Sequence, residues 1–281
     1  MSVPLLYIAA YARSGSTLLG ELLARRLGGV HVGEVRHLAE RALLPGRRCS
    51  CGAEVVRCPF WSRALAEAGL GGAELAELRA LARALRRPAA KYLLSAAALE
   101  AALTPSRRLL LVRLYRGLAR AAEGRLLVDG SKQPAYAWAL ARSGAARVHL
   151  VHLLRDPRAV AYAVRHRRKP LPQGGRMASA PLLETAVKWR LLQGAILRLG
   201  PALASYHRQS YEALCRDPEA ALARLRFLAR GGAAGASHLF SGNPDFLAPQ
   251  GGVEIRFREP WRAGMGWWEA QAVRLLAGRV R

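Results

Sequence analysis

Acidic residues are scarce in this 281-residue chain: 19 Asp and Glu stand against 44 Lys and Arg, for a formal net charge of +25. An imbalance of this size calls for acidic partners, which leaves nucleic acid, a membrane surface or anionic small molecules. Lysine is scarcer still. Lys91, Lys132, Lys169 and Lys188 are the only four, so 40 of the cations are Arg. A GC-rich coding sequence accounts for Arg over Lys but not for the shortage of acids. Cysteine occurs four times, too seldom for a disulfide scaffold at this length. No apolar run reaches the length of a membrane span, since the longest are cut by Arg or Glu, as at Glu100. The N-terminal apolar run is too short for a signal peptide and has no basic residue before it, so it reads as a first strand and the chain as cytoplasmic.

What is present is a globular composition, 52% apolar and 22% charged. The length suits one α/β domain over 1–281 with a helical insertion or cap at about 62–123. The most informative stretch is 5–19. Leu5 to Ala10 forms an apolar run, Ala12 to Thr17 a small polar loop, and Leu18, Leu19, Leu22, Leu23 and Leu27 then recur at helical spacing. Strand, tight loop and helix together present free backbone N–H groups and a positive dipole end to an anion. Against the Walker A pattern, Gly15 and Thr17 are kept, Ala10 replaces the first Gly, and Ser16 stands where the Lys would grip a triphosphate. A cation appears instead at Arg13.

Further strands are expected at 30–32, 125–129, 147–154 and, weakly, 204–209. Helices are expected at about 35–44, across 62–123 with breaks, after Pro134 and Pro157, at 182–199, at 218–229 and from Trp267. Alternating strands and helices imply a mostly parallel sheet in three layers, with ligands beyond the strand C-termini. The loops at 12–17, 33–36, 129–134 and 155–158 should therefore converge on one cleft.

These segments carry a resemblance. Ala12-Arg-Ser-Gly-Ser-Thr-Leu-Leu19 resembles the loop with which sulfotransferases hold the phosphosulfate of PAPS (phosphoadenosine phosphosulfate). Leu153-Leu-Arg-Asp-Pro-Arg-Ala-Val-Ala-Tyr162 resembles their second motif, which holds the ribose phosphate. Gly33-Glu-Val-Arg36, Asp129-Gly-Ser-Lys132, Tyr211-Glu212 and Ser241-Gly-Asn-Pro244 follow in the family's order. The resemblance implies a P-loop-like fold and transfer of a sulfuryl group from PAPS to a hydroxyl or, less readily, an amine, with no metal required. It implies Arg13 and Lys132 as cations beside the transferred group and Glu34 as general base. Ser14, Gly15, Ser16, Thr17, Leu18, Arg155, Tyr211 and Ser241 would hold the donor. The chemistry suits these residue types, because in-line transfer depends on positioning and charge stabilisation. One departure is Ala163, where many members have a Ser donor to the ribose phosphate; Arg158 and Arg165 are candidates to replace it.

Several residues carry a plainer reading as well. Glu34 could be an ion-pair partner of Arg36 or Arg41, Lys132 an exposed loop Lys, and Tyr211 a half-buried ring. Leu126-Leu-Val-Asp129 mimics a Walker B strand, which makes Asp129 the best argument for a P-loop kinase or nucleotide hydrolase. Cys49-x-Cys51-x₆-Cys58 could bind a metal with His31 or His37, form a disulfide or stay reduced. The spacing is not that of paired C-x₂-C knuckles, so no metal is expected, and Cys215 is expected to be buried. The run Arg165-His-Arg-Arg-Lys169 lacks interleaved aromatics and fits an anionic acceptor or acidic carrier better than nucleic acid. The acceptor, small or carrier-borne, is expected between the helical stretch 62–123 and the loop 165–181.

Overall fold

The computed structural model describes residues 3–166, 169–170, 176–200, 203–228, 235–246, 255 and 257–278. Arg167 and Arg168 of the basic run, and Val253, Glu254 and Arg256 of the tail, lie outside the described residues.

β1 (Val3–Ala10) runs through the middle of the molecule. Leu5, Tyr7 and Ala9 face one side, and Leu6, Ile8 and Ala10 the other. Both sides are covered, which is why the strand reads as unbroken apolar sequence. The chain continues through α1 (Ser16–Leu27) to β2 (Val30–Gly33). It then passes through α2 (Pro59–Ala68), α3 (Gly72–Leu85), α4 (Pro88–Lys91), α5 (Ala96–Ala102) and α6 (Pro105–Ala121). β3 (Leu127–Lys132), α7 (Pro134–Arg142), β4 (Ala146–Leu154), α8 (Pro157–His166) and α9 (Leu182–Leu199) follow. The last elements are β5 (Ser205–Ser210), α10 (Tyr211–Arg216), α11 (Pro218–Ala223), β6 (Ala236–Ser237), α12 (Trp261–Gly264) and α13 (Trp267–Ala277).

Among the described residues the six strands pair in the order β5-β4-β1-β3-β2-β6, every pair parallel. Helices cover both faces, giving a three-layer α/β fold. α2, α3, α5, α6 and α7 pack on the Leu5–Tyr7 face, and α1, α10 and α11 on the Leu6–Ile8 face. α8, α9, α12 and α13 form a smaller cluster at the β4 side. From β1 the chain moves towards β2, and from β4 towards β5. These neighbours therefore leave in opposite directions, and the crevice between them is where such sheets bind ligands.

Three local expectations are corrected. Residues 35–44 do not form an α-helix but a 3₁₀ turn (Val35–His37) followed by a π turn (Leu38–Ala42). Arg36 is tied to Ser131, and the Ala39 carbonyl accepts two bonds from the Arg79 guanidinium, at 2.8 and 3.2 Å, so a donor outside the helix takes an acceptor that the α ladder needs. The expected loop Gly130–Lys132 continues β3, with a bulge where Tyr7 pairs Asp129 and Ala9 pairs Lys132. The helix expected over 218–229 divides into α11 and a 3₁₀ turn at Arg226–Leu228. The helical stretch 62–123 packs into the main core: Leu111, Leu114, Tyr115 and Leu118 of α6 join the cluster of Leu5 and Tyr7. Among the described residues no helix is long and apolar enough to cross a membrane.

Candidate anion site at the strand C-termini

The loop after β1 turns into α1 through Gly15, whose φ of 91° lies in the left-handed region. A Cβ there would stand 2.5 Å from the Tyr211 ring, so both the turn and the close packing need glycine. No side chain caps α1, so its first-turn N–H groups face outward with the positive end of the dipole. Arg13 precedes this turn with φ 66°, and Lys132, at the end of β3, has φ 68°. Left-handed backbone at a non-glycine residue is costly and concentrates at functional sites. Here it falls on both cations expected beside a transferred group.

Arg155 leaves β4 on the other side of the crevice. Its Nη1 donates to the Arg13 carbonyl at 2.8 Å, and its guanidinium lies 4.3 Å over the Tyr211 ring. Its Nε is buried with no partner among the described residues, as is Ser14 Oγ within the loop. Two unpaired buried polar atoms in one loop cluster are unusual and mark a place where a polar ligand would be satisfied. Tyr211 is buried, which pushes its hydroxyl up to about 12.

On the far rim, β2 and β3 end side by side. Lys132 Nζ donates to Glu34 Oε1 at 2.5 Å, and Arg36 Nη2 donates to Glu34 Oε2 at 3.3 Å. Arg36 is fixed in turn by its Nε bond to the Ser131 carbonyl at 2.7 Å. Burial raises the Glu34 pKa, but Lys132 and Arg36 outweigh it and hold the carboxyl at about 2. The ion-pair reading of Glu34 is therefore realised, with Lys132 as the nearer cation. His37 packs 3.6 Å from Glu34 and is driven down to about 3 by burial and by Arg36, so it is neutral at pH 7.

These groups line one cavity of about 940 Å³. Arg13, Gly15, Ser16, Thr17, Leu18, Glu34, Lys132, Arg155, Tyr211 and Ser241 all reach it; Ser14 lies beneath, fully buried. The segment after β6 closes over α1: the Asn243 N–H donates to Thr17 Oγ1 at 3.3 Å, and Ser241 Oγ accepts from Arg41 at 3.5 Å. Arg36 and Arg41, weighed from the sequence only as partners of Glu34, add positive charge, as do Arg47 and Arg258, which no motif singled out. Lys169 and Met177–Ala180 of the 165–181 loop also line it, with Arg13 Nη1 3.1 Å from Met177 Sδ. Among the described residues the helical stretch 62–123 contributes no lining side chain, because it is committed to the sheet face. It acts from behind, through the bidentate Arg86–Glu40 pair at 2.7 and 2.8 Å.

Four further expectations change. Ala163 lines the wall without a donor, and Arg158 does not stand in for one: its guanidinium is bound to Asp156 and lies 4.2 Å over Trp261. Asp129 does not face the cavity. It is fully buried, accepts from Tyr115 Oη at 2.5 Å and the Ser131 N–H at 2.7 Å, and burial pushes its carboxyl up to about 6. Of the histidines weighed beside the clustered cysteines, His31 is bound to Glu21 at 2.9 Å and His37 to Glu40 at 3.1 Å, so neither joins them. Cys215 is half-buried rather than sealed.

No family model and no curated protein matches the sequence. The sulfotransferase domain from the Synechococcus PCC 7002 olefin synthase is 23% identical, with 99% of this chain and 97% of that domain covered and a TM-score of 0.49. The sulfotransferase domain from the curacin biosynthetic pathway is 20% identical, with 97% and 83% covered and a TM-score of 0.47. Identities this low say nothing of activity, which has to be read from the site. The chain is similar, along nearly its whole length, to these two sulfotransferase domains.

Proposed function

We propose that this protein is a sulfotransferase that moves the sulfuryl group of PAPS to a hydroxyl acceptor. One observation carries the reading: an uncapped helix N-terminus is flanked by Arg13, Lys132 and Arg155, while Ser16 occupies the place of the triphosphate-gripping Lys. The residues present fit the donor. The unpaired Arg155 Nε and Ser14 Oγ supply donors for phosphate oxygens, and a guanidinium suits bidentate phosphate binding. When bound, PAPS supplies the sulfuryl group and a phosphoadenosine phosphate leaving group. Backbone N–H groups of Ser14 to Leu18 cradle the phosphate at the dipole end. Tyr211 and Arg155 form one wall for the nucleoside end, and Ser241 another.

Glu34 is ionised at neutral pH and faces the cavity, so it can accept a proton from an acceptor hydroxyl. At about 2 its pKa is low for that task, because a general base works best with a pKa near the operating pH. An anion that draws Lys132 away from Glu34 raises this pKa, which couples occupancy of the loop to the strength of the base. Lys132 then stabilises negative charge on the transferred group. The acceptor enters past Lys169 and Met177–Ala180, and the surrounding Arg side chains suit a small or carrier-borne acceptor with negative charge of its own.

Among the described residues the carboxylates lining the cavity are Glu34 and Asp245, bonded to Lys132 and Lys169 respectively. Asp129 is sealed below. That donor set disfavours a magnesium-dependent kinase or hydrolase. A thermal-shift assay tests the reading. A ligand at about 100 times its Kd adds roughly 2.7 kcal/mol, so phosphoadenosine phosphate without magnesium should raise the Tm well above any effect of ATP with magnesium. An equal or larger response to Mg-ATP overturns the proposal, and a response to RNA or DNA alone favours a nucleic-acid-binding protein. Labelled PAPS with a panel of hydroxyl acceptors then identifies the acceptor.

A further inference from the structure

Away from the loop carrying the anion site, Cys49, Cys51, Cys58 and His238 converge, with their ligand atoms all within 4.8 Å of one another. Cys58 Sγ lies 3.4 Å and Cys49 Sγ 3.7 Å from His238 Nδ1, and Cys51 Sγ lies 3.6 Å from Cys58 Sγ. A tetrahedron with Zn–S of about 2.3 Å and Zn–N of about 2.0–2.1 Å has S···S edges of about 3.8 Å and S···N edges of about 3.6 Å. The three separations of 3.4, 3.6 and 3.7 Å lie within about 0.2 Å of these edges, and no pair of the four atoms is more than 4.8 Å apart. From this geometry we infer that Cys49, Cys51, Cys58 and His238 hold a structural zinc ion.

Hydrogen bonding alone accounts poorly for the cluster. Imidazole Nδ1 offers one lone pair, yet two sulfurs face it, and thiols are weak donors to one another. All four cysteines are free thiols, and 3.6 Å between Cys51 and Cys58 is far from the ~2.05 Å of a disulfide. One cation at the centre satisfies all four groups. Binding replaces the three thiol protons, which leave to solvent, by Zn–S bonds with no change of oxidation state. The soft S₃N donor set selects zinc over magnesium or calcium. Four protein ligands close the tetrahedron, so the ion is structural rather than catalytic.

The surroundings are built to hold these ligands. The Cys49 N–H donates to the Ala53 carbonyl at 2.8 Å, and the Gly52 N–H to the Cys49 carbonyl at 2.9 Å, with Gly52 at φ 96°. This tight turn aims Cys49 and Cys51 the same way. Cys58 sits at the N-cap of α2, where the dipole favours a thiolate. The His238 ring stacks on Phe60 at 4.6 Å and 8°, and its carbonyl accepts from Trp61 Nε1 at 2.9 Å. Ser50 bridges to the same segment, with its N–H donating to the Leu239 carbonyl at 2.7 Å. The ion thus ties the 45–58 loop, α2 and the segment after β6 at one point. Arg47, two residues before Cys49, and Ser241, three after His238, line the cavity, so the ion would also fix that wall.

The test uses the full chain, purified with a non-chelating reductant. Atomic emission should find about one zinc per chain, and cobalt(II) exchange should give the visible spectrum of a tetrahedral thiolate site. Cys51→Ser, at an exposed thiol, and His238→Ala should each weaken zinc affinity about a hundredfold or more in chelator competition, beyond the 10–100-fold typical of outer-shell losses. Circular dichroism verifies that both variants are folded. Wild-type chain that takes up no zinc from equimolar zinc overturns the inference. So does affinity unchanged in both variants, or a zinc-free protein whose mass shows a Cys51–Cys58 disulfide. None of these readouts depends on sulfuryl transfer.

Discussion

The contact between Lys132 and Glu34 makes the most demanding prediction. Lys132→Met deletes an ammonium 2.5 Å from Glu34 Oε1. Two unit charges at that distance attract by about 7 kcal/mol at an effective dielectric of about 20. Desolvation offsets much of this, since the two side chains are only 16% and 9% exposed. Removing one partner of a buried pair costs about 3–5 kcal/mol. Arg36 stays 3.3 Å from the carboxylate, so about 2–3 kcal/mol is expected. In the double variant with Glu34→Gln the losses should not add, leaving a coupling of about 2 kcal/mol. Lys132→Gly provides an internal control: it loses the same charge but sheds the strain of φ 68°, so it should be less destabilising than Met by about 1 kcal/mol. Urea unfolding at pH 7, followed by tryptophan fluorescence, measures all four. A coupling below about 0.5 kcal/mol, the scatter of independent sites, refutes the pair and with it the linkage between loop occupancy and base strength.

Two further outcomes follow from the same rim and loop. Glu34 is held at about 2, below its ordinary 4.5, so its contribution is present above pH 4.5 and is lost as pH falls through about 2. Asp129 is pushed from 3.8 up to about 6, so its contribution is full below pH 3.8 and is lost as pH rises through about 6. Urea midpoints against pH should therefore flatten at the acid end in Glu34→Gln and between pH 4 and 6 in Asp129→Asn; unchanged slopes would contradict both assignments. Gly15→Ala should cost about 1–2 kcal/mol for the left-handed backbone plus about 1–3 kcal/mol for overpacking Tyr211. Tyr211→Ala in the same chain should remove only the second part, and strict additivity in denaturant would show that the two residues do not touch.

Local chemistry made much of the architecture readable. The unbroken apolar run of β1, the leucine spacing of α1 and the turn residues after each strand placed the sheet and the convergence of its C-terminal loops. What the sequence could not show depends on distant partners. The donor that disrupts 35–44 comes from Arg79, forty residues on. Asp129 stands in a strand like a Walker acid, but only Tyr115 above it shows that it is sealed. The cysteines are bunched in sequence, while the imidazole that joins them is His238, 180 residues from Cys58 and on no periodic pattern. Arg47 and Arg258 were hidden for another reason: among 40 Arg, none stands out by type.

The all-parallel order around β1 also bears on how the protein is made. β1 pairs with β3 and β4, and its first residue, Val3, is matched by Ala146. At roughly 5–20 residues per second, the ribosome needs about 7–30 s to pass from the first strand to that partner. Until β3 is made, late in that interval, the apolar strand and the loop behind it have no strand to pair with, and β1 is flanked on both sides only once β4 follows. This stretch of the nascent chain is therefore a natural client for a holding chaperone, and the loop after β1 is among the last parts to acquire shape.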